Sequence, residues 1–283
     1  MENNTFTVTP MNQTISLTPG EKYEGSITVI NPSDSTEDFN YKVTTAPYGV
    51  SGSDYEADLV TETSRTQLKE WITIDEPTGT IAPNSKKKIT FTISVPEDAS
   101  GGGQYAAILV GSNNEDETSN GVAIQNVFEM ASLVYATVSG DAVHDGEIVN
   151  NEVPGFVAVP PVTLSAMIKN SGNVHERATF VIKVTNFFTG EVILPTDENE
   201  GVYTEVIMPE TERTITRDVG NLPVLGVVRV NQTIYYNGVM SEEEKEVIIC
   251  PIWFILLVLI TLVAIITTIV RIILKHKRRK QVA

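Results

Sequence analysis

The sequence is short of what small stapled or metal-built folds rely on. It holds one cysteine, Cys250, so no intrachain disulfide can form and no cysteine-based metal cluster can be built. Its three histidines, at positions 144, 175 and 276, are scattered. Basic charge is scarce: 20 Lys and Arg against 36 Asp and Glu give a net charge of −16. That balance argues against nucleic acid as a partner, because phosphate binding needs a cationic face. No GxSxG, SxxK or HExxH motif is present, and neither His144 nor His175 has a Ser or Cys partner in a recognisable context. Both read as surface loop residues, and the chain reads as non-enzymatic with no cofactor. The opening MENNTFTVTP has no basic and no apolar signal region, so Met1 is expected to be a processed start or a cut boundary.

Hydrophobic residues make up 41% of the 283 and charged ones 20%, enough for a core and against global disorder. The length suits one large or two modest domains. The most specific signal is the uncharged run VIICPIWFILLVLITLVAIITTIV at 247–270. About 20 apolar residues carry a helix across the roughly 30 Å hydrocarbon layer. Thr261, Thr267 and Thr268 are tolerable there because a helical hydroxyl bonds back to the preceding turn. Trp253 sits where an interfacial aromatic anchors the outer edge, and Arg271, Lys275, Lys277, Arg278, Arg279 and Lys280 follow with no acid among them. The positive-inside rule then predicts a single pass through the plasma membrane, with the bilayer held through 247–270. Residues 271–283 form a basic cytoplasmic tail, and everything to about 246 lies outside. Without the tail's six cations the outer part carries 14 basic against 36 acidic residues. Cys250, at the outer edge of the run, reads as an apolar filler.

The first 246 residues read as strands almost throughout. Ile89-Thr90-Phe91-Thr92-Ile93-Ser94-Val95 alternates strictly, as do Ile27 and Val29, Phe39, Tyr41 and Val43, and Tyr105, Ala107 and Leu109. Residues 122–138 leave room for one or two more strands. Pro19-Gly20-Glu21, Asn31-Pro32-Ser33-Asp34, Pro77-Thr78-Gly79 and Ser100-Gly101-Gly102-Gly103 punctuate these runs as turns. A short helix is expected only around Ser64–Glu70. Leu164, Ala166 and Ile168 begin a second set, which ends in the Asn237-Gly238 hairpin and a strand from Val239 to Ile249. Residues 241–246, SEEEKE, read as a short spacer ahead of the helix, and Gly and Pro cluster within 140–161. The fold class is therefore all-β, two tandem immunoglobulin-like β-sandwich domains (1–140 and 141–246) followed by a single transmembrane α-helix.

Leu17-Thr18-Pro19-Gly20, Ile27 to Asn31, Trp71-Ile72, Ile81-Ala82-Pro83, Ile93 to Pro96 and Gly103 to Ala107 carry a resemblance. Across most of 5–140, and in overall layout, the chain resembles the bacterial WxL-interacting protein family. Over 141–248 the likeness rests on Asn170-Ser171-Gly172-Asn173 and on position before the membrane helix. The resemblance implies Gram-positive surface proteins, with a first domain assigned to peptidoglycan and a second assigned to other proteins or host components. It supplies no catalytic residues. The second unit, about 100 residues, is compact for that family.

Candidate recognition residues follow from loop length. Tyr48 and Tyr55 flank a Gly- and Ser-rich loop, 47–58, that also holds Asp54 and Asp58 and is longer than a tight turn needs. With 111–121 it forms the expected recognition surface. Asp54, Glu56 and Asp58, like 113–117, could offer oxygen donors to calcium, but the EF-hand spacing and glycine are missing, so a solvated acidic loop is the expectation. Trp71 is expected to begin a strand and pack between sheets. Lys86-Lys87-Lys88 reads as a blunted strand edge or a grip for a client terminus. The sequons at Asn3, Asn12 and Asn231 are expected to be incidental. The functional expectation is a membrane-anchored surface protein that binds cell-wall polymer or another surface protein. The alternatives are a structural subunit of a larger assembly or a membrane-tethered assembly chaperone.

Overall fold

The computed structural model describes residues 6–52, 55–113, 129–195 and 200–281, the last helix with side chains to Leu274. Two compact units form. One contains Met1–Glu147 with Lys169–Arg177 and Val206–Arg213; the other contains Ile148–Ile168, Ala178–Glu205 and Thr214–Ala283.

In the first unit, two sheets face each other as an immunoglobulin-like sandwich. One has the order β1 (Thr7–Thr9), β3 (Lys22–Asn31), β9 (Ser85–Ser94), β7 (Ile72–Ile74). The other runs β2 (Asn12–Leu17), β11 (Glu129–Val138), β10 (Gly102–Ser112), β4 (Phe39–Pro47), β8 (Thr78–Ile81). The period-2 pattern explains the layers: Ile27, Val29, Ile89, Phe91 and Ile93 from one sheet meet Tyr41, Val43, Ile108, Val110, Val134 and Ala136 from the other. A small hairpin, β5 (Gly49–Ser51) with β6 (Glu56–Asp58), projects beyond β4. The short helix lies at α1 (Leu68–Trp71), later than the sequence pattern placed it. Trp71 therefore ends a helical turn instead of opening a strand, and it is buried in the core with Leu68.

Two cross-strand pairs set glycine against an aromatic ring. Gly25 lies opposite Phe91 and Gly79 opposite Tyr41. In each the ring covers the glycine so closely that a Cβ would overlap it, at 2.3 Å from Phe91 Cζ and 2.6 Å from the Tyr41 hydroxyl.

The second sandwich uses a three-stranded sheet, β12 (Gly146–Glu152), β14 (Val162–Asn170), β18 (Glu212–Val219). Its other sheet runs β13 (Phe156–Val157), β20 (Val239–Ile249), β19 (Gly226–Tyr236), β15 (Glu176–Asn186), β16 (Val192–Leu194), with β17 (Val202–Ile207) also on β15. Its core gathers Val153, Val162, Leu164, Ile182, Val184, Val228, Val230, Val247 and Ile249. Residues 241–246, read from sequence as a spacer, lie inside β20 and pair with Ile234 through Arg229 of β19. The glutamates are an acidic edge strand whose backbone is hydrogen-bonded on one side, which charge protects from stray pairing. Two residues beyond β20 the chain enters α2 (Ile252–Gln281), of which Ile252–Leu274 is long and apolar enough to cross a membrane and is wholly unburied by protein. Thr261, Thr267 and Thr268 each donate to a carbonyl three or four residues back, as expected of hydroxyls in an apolar helix.

Candidate functional site

Asparagines at two strand ends hold the loops of the first unit in place. Asn31 Nδ2 donates to the carbonyls of Glu37 and Ile81, both at 2.9 Å. Asn170 Nδ2 donates to the carbonyls of Val174 (2.8 Å) and Ile207 (3.0 Å), while its Oδ1 accepts from the Gly172 N–H at 2.9 Å. Segments 169–177 and 206–213 are thereby tied to each other.

Those two segments complete an aromatic cluster with β10, β11 and the residue after β4. Tyr48, Tyr105, Tyr135 and Met208 are buried together with Ala46 and Ala107. The Tyr105 hydroxyl accepts the His175 backbone N–H at 2.8 Å, and the Tyr48 and Tyr135 hydroxyls share a hydrogen at 3.0 Å. Tyr55 reaches in from its loop: its hydroxyl accepts the Met208 N–H (2.5 Å) and bonds Thr211 Oγ1 (3.0 Å), with the Arg213 guanidinium 4.6 Å over its ring. Burial raises the pKa values of Tyr55, Tyr105 and Tyr135, so all three stay protonated donors and acceptors.

His175 is the titratable member of this cluster. Burial, helped by the Arg177 and His144 charges, lowers its pKa from 6.5 to about 4. The folded protein holds it neutral while the unfolded chain protonates it below about 6.5, so the fold loses stability as pH falls from about 6.5 towards 4. The expected loss between pH 8 and pH 5 is about 2 kcal/mol. Denaturant titrations at the two pH values check this. Replacing His175 by Gln should flatten the difference, and an unchanged slope would rule His175 out as its source.

Beside this cluster opens a cleft of about 310 Å³ lined by Tyr48, Gly49, Val50, Asp58, residues 61 and 63–66, Tyr105 and 208–211. Five hydroxyl-bearing residues, Thr61, Thr63, Ser64, Thr66 and Thr211, are among its lining, beside the apolar Val50, Met208 and Pro209. Arg65 crosses its rim, donating to the Asn173 carbonyl at 2.9 Å and to Glu210 at 2.5 Å. Asp58 Oδ1 accepts the N–H groups of Val60 and Thr61, both at 2.9 Å. Bonds from the Thr61 side chain and from these two N–H groups lower the Asp58 pKa.

Of the four sequence-derived recognition residues, Tyr48 and Asp58 line the cleft, and Tyr55 turns its hydroxyl onto Met208 and Thr211. Asp54 and most of 111–121 lie outside the described residues. The groups that Tyr55 and Arg65 meet, at Met208, Thr211, Glu210 and Asn173, are far along the chain, and no local signal links them. Sequence reasoning placed His175 on a surface loop; its burial follows from packing against Tyr105 and Tyr135, 70 and 40 positions earlier in the chain. Among the described residues no group of three or more His, Cys, Asp or Glu is placed to hold a metal. Of the membrane-interface set, Trp253 is exposed in the first turn of α2 and Arg271 lies near its far end, whereas Lys275, Lys277, Arg278, Arg279 and Lys280 belong to the same helix by backbone alone. Lys86-Lys87-Lys88 sits in β9, inside a sheet, and Lys87 pairs with Glu76 at 2.6 Å. On one side the three lysines pair with Thr28–Ile30 of β3, whereas β7 reaches only Phe91–Ile93 on the other, so the triplet lies on an open, charge-blunted stretch of β9.

The edges differ in how they are closed. β11 pairs with β10 along its whole length, from Glu129 opposite Gly111 to Val138 opposite Gly102. On its other side β2 covers only Leu133–Val138. Among the described residues, no strand pairs with Glu129, Met130 and Ala131 on that side, although β1 packs against β11. The Leu133 N–H donates to the Met11 carbonyl at 2.8 Å, so by strand alternation Ala131 turns its own N–H and C=O to the same, open side. Met130 and Ala131 are half-buried and apolar.

No protein-family model matches this sequence, and no curated protein matches it. Among solved structures, the chain is similar to the class 5 fimbriae chaperone CfaA, at 15% identity and a TM-score of 0.42, over 85% of this chain and 99% of that one. It is similar to SafB in its complex with the Salmonella enterica SafA pilin, or to that pilin, at 9% identity and a TM-score of 0.39, over 88% of this chain and 98% of the other. The E. coli chaperone DraB matches at 10% identity and a TM-score of 0.39, over 86% and 95%.

Proposed function

We propose that this chain is a membrane-anchored, non-enzymatic surface protein that binds an extended segment of another surface protein by adding it as a strand to β11. The observation that carries the reading is the half-open edge: a long central strand left unpaired at Glu129–Ala131 beside apolar, half-buried side chains. An added strand gains main-chain hydrogen bonds on such an edge, and side-chain alternation sets its register. Several other edges are poorer hosts: β1 and β7 are three residues long, β8 is four, and β20 carries Glu242, Glu243, Glu244 and Glu246. In this reading α2 crosses the plasma membrane with both sandwiches outside and the basic tail in the cytoplasm, and the assembly-chaperone alternative is the same chemistry applied to a client in transit.

The test is capture with the full chain in detergent from the native surface proteome and, separately, from purified cell wall. Ala131→Pro removes the open N–H but no bond to β10, since residues with even numbers make those. It should weaken capture of the partner at least about tenfold while shifting stability by only about 1 kcal/mol. Equal capture by both forms would place the partner elsewhere.

The hydroxyl-lined cleft favours a second reading, a cell-wall glycan, in keeping with the resemblance to WxL-interacting proteins. Small polar side chains and a fixed Arg–carboxylate pair suit sugar hydroxyls. Retention on wall that survives protease treatment, and that Ala131→Pro leaves intact, would select this reading over strand addition.

A further inference from the structure

The second unit has an apolar rim at the end where its chain leaves for α2. Strand register fixes which loops gather there. Gly226 of β19 lies opposite Ile249 and Val227 opposite Ile248, so the start of β19 and the end of β20 share one end of the sheet. β13 joins at that level, Phe156 opposite Ile248. β15 ends there too, Asn186 opposite Val228, with the Phe187 N–H donating to the Val227 carbonyl at 3.1 Å. Three loops therefore converge beside Cys250 and Pro251: 153–161, 187–191 and 220–225.

Their composition is unlike the rest of the protein. In a chain with 36 acidic residues, VPGFVAVPP, FFTGE and GNLPVL carry one charge between them, Glu191. Val153 and Leu222 of these loops go into the core, but five other large apolar side chains face outward: Phe188 is 76% exposed, and Phe156, Val159, Val224 and Leu225 are about half exposed. A cluster of this kind on a soluble surface marks a contact. Phe187 is held by Arg229, whose guanidinium lies 5.5 Å from its ring, leaving Phe188 as the outermost group of the turn. Only two residues separate Ile249 from the first residue of α2, Ile252, a reach of roughly 10 Å even when extended. Whatever surrounds the top of α2 meets this rim.

We propose that the rim formed by Phe188, Phe156, Val159, Val224 and Leu225 is seated in the headgroup–acyl boundary of the bilayer that α2 crosses. This rests on the membrane-spanning reading of α2. Phenylalanine and the aliphatic side chains gain free energy at that depth, and with Glu191 the one acid in the three loops the rim meets little repulsion from anionic lipid. The second sandwich is thereby fixed on the membrane surface and does not swing from a loose stalk.

The test uses the full chain reconstituted in phosphatidylcholine vesicles with brominated acyl chains, in a Cys250→Ser background. Single cysteines carrying an environment-sensitive fluorophore are placed by Phe188→Cys, Val224→Cys, Met240→Cys and Leu256→Cys. Met240 lies beside the Asn237-Gly238 turn, at the opposite end of β20, and Leu256 lies inside α2. Probes at 188 and 224 should be quenched about twofold or more, as at 256, while the probe at 240 stays unquenched. Quenching at 256 but not at 188 and 224 would leave α2 in the membrane and overturn the seated rim. No quenching at 256 would overturn the spanning reading, and the rim proposal with it. Because Phe188 and Val224 are exposed, both cysteine variants keep the core intact, and either one decides the result.

Discussion

Asn170→Ala is expected to lower the stability of the first unit by about 3–5 kcal/mol, the larger of the two main effects. The side chain is 1% exposed and makes three bonds to main-chain groups: the Val174 carbonyl, the Ile207 carbonyl and the Gly172 N–H. Alanine leaves all three groups buried without that partner, and each such loss costs about 1–3 kcal/mol. The penalty is the uncompensated desolvation of polar groups, so a hydrophobic replacement of similar size fares no better. Asn170→Asp keeps the acceptor but turns a buried carboxylate oxygen towards the Val174 and Ile207 carbonyls, so at neutral pH it should cost at least as much as alanine. Denaturant unfolding of the full chain in detergent micelles measures this. A loss below about 1 kcal/mol would mean that water or a relaxed loop replaces the bonds. Asn31→Ala removes two donated bonds at a comparable strand end and should cost correspondingly less.

Gly25→Ala is expected to destabilise by about 2–3 kcal/mol although alanine is the better strand residue. Elsewhere in a strand the exchange would gain roughly 0.5–1 kcal/mol in backbone entropy. Here the new Cβ would stand 2.3 Å from Phe91 Cζ and 2.6 Å from Cε2. Phe91 is 1% exposed and part of the core of the first unit, where close packing opposes any turn of the ring. Overpacking therefore outweighs propensity. A double-mutant cycle separates the two terms: Phe91→Leu alone loses apolar area, and in its presence Gly25→Ala should become nearly neutral, a coupling of at least about 1 kcal/mol. Additive losses would show that the strain lies in the backbone of β3 and not in the ring.

Much of the architecture was legible residue by residue. Strict alternation at Ile89–Val95 dictated a strand with one buried face, because a pleated backbone sends successive side chains to opposite sides. Asn237-Gly238 dictated a two-residue hairpin, since both positions adopt positive φ, at 47° and 74°. The uncharged run ending at Val270 signalled a helix of spanning length, but the helix begins at Ile252 because Val247–Ile249 pair within β20. SEEEKE misled because alternation in hydrophobicity is absent from an edge strand whose side chains all meet water, although its backbone pairs normally with β19. Trp71 was placed one element too late for a related reason: a single helical turn of four residues carries no periodicity of its own.

The candidate sites were far less visible. Nothing near His175 announces that Tyr105 will accept its N–H, nor does the 47–58 loop announce Met208 and Thr211. The open edge of β11 exists because β2 stops pairing at Leu133, and the apolar rim exists because strand register brings three loops to one end of a sheet. Local residue chemistry dictates whether a segment is strand, turn or long apolar helix, because those choices involve interactions within a few residues. Which segments meet depends on long-range pairing and on burial shared by both sheets, and that is where the candidate function lies.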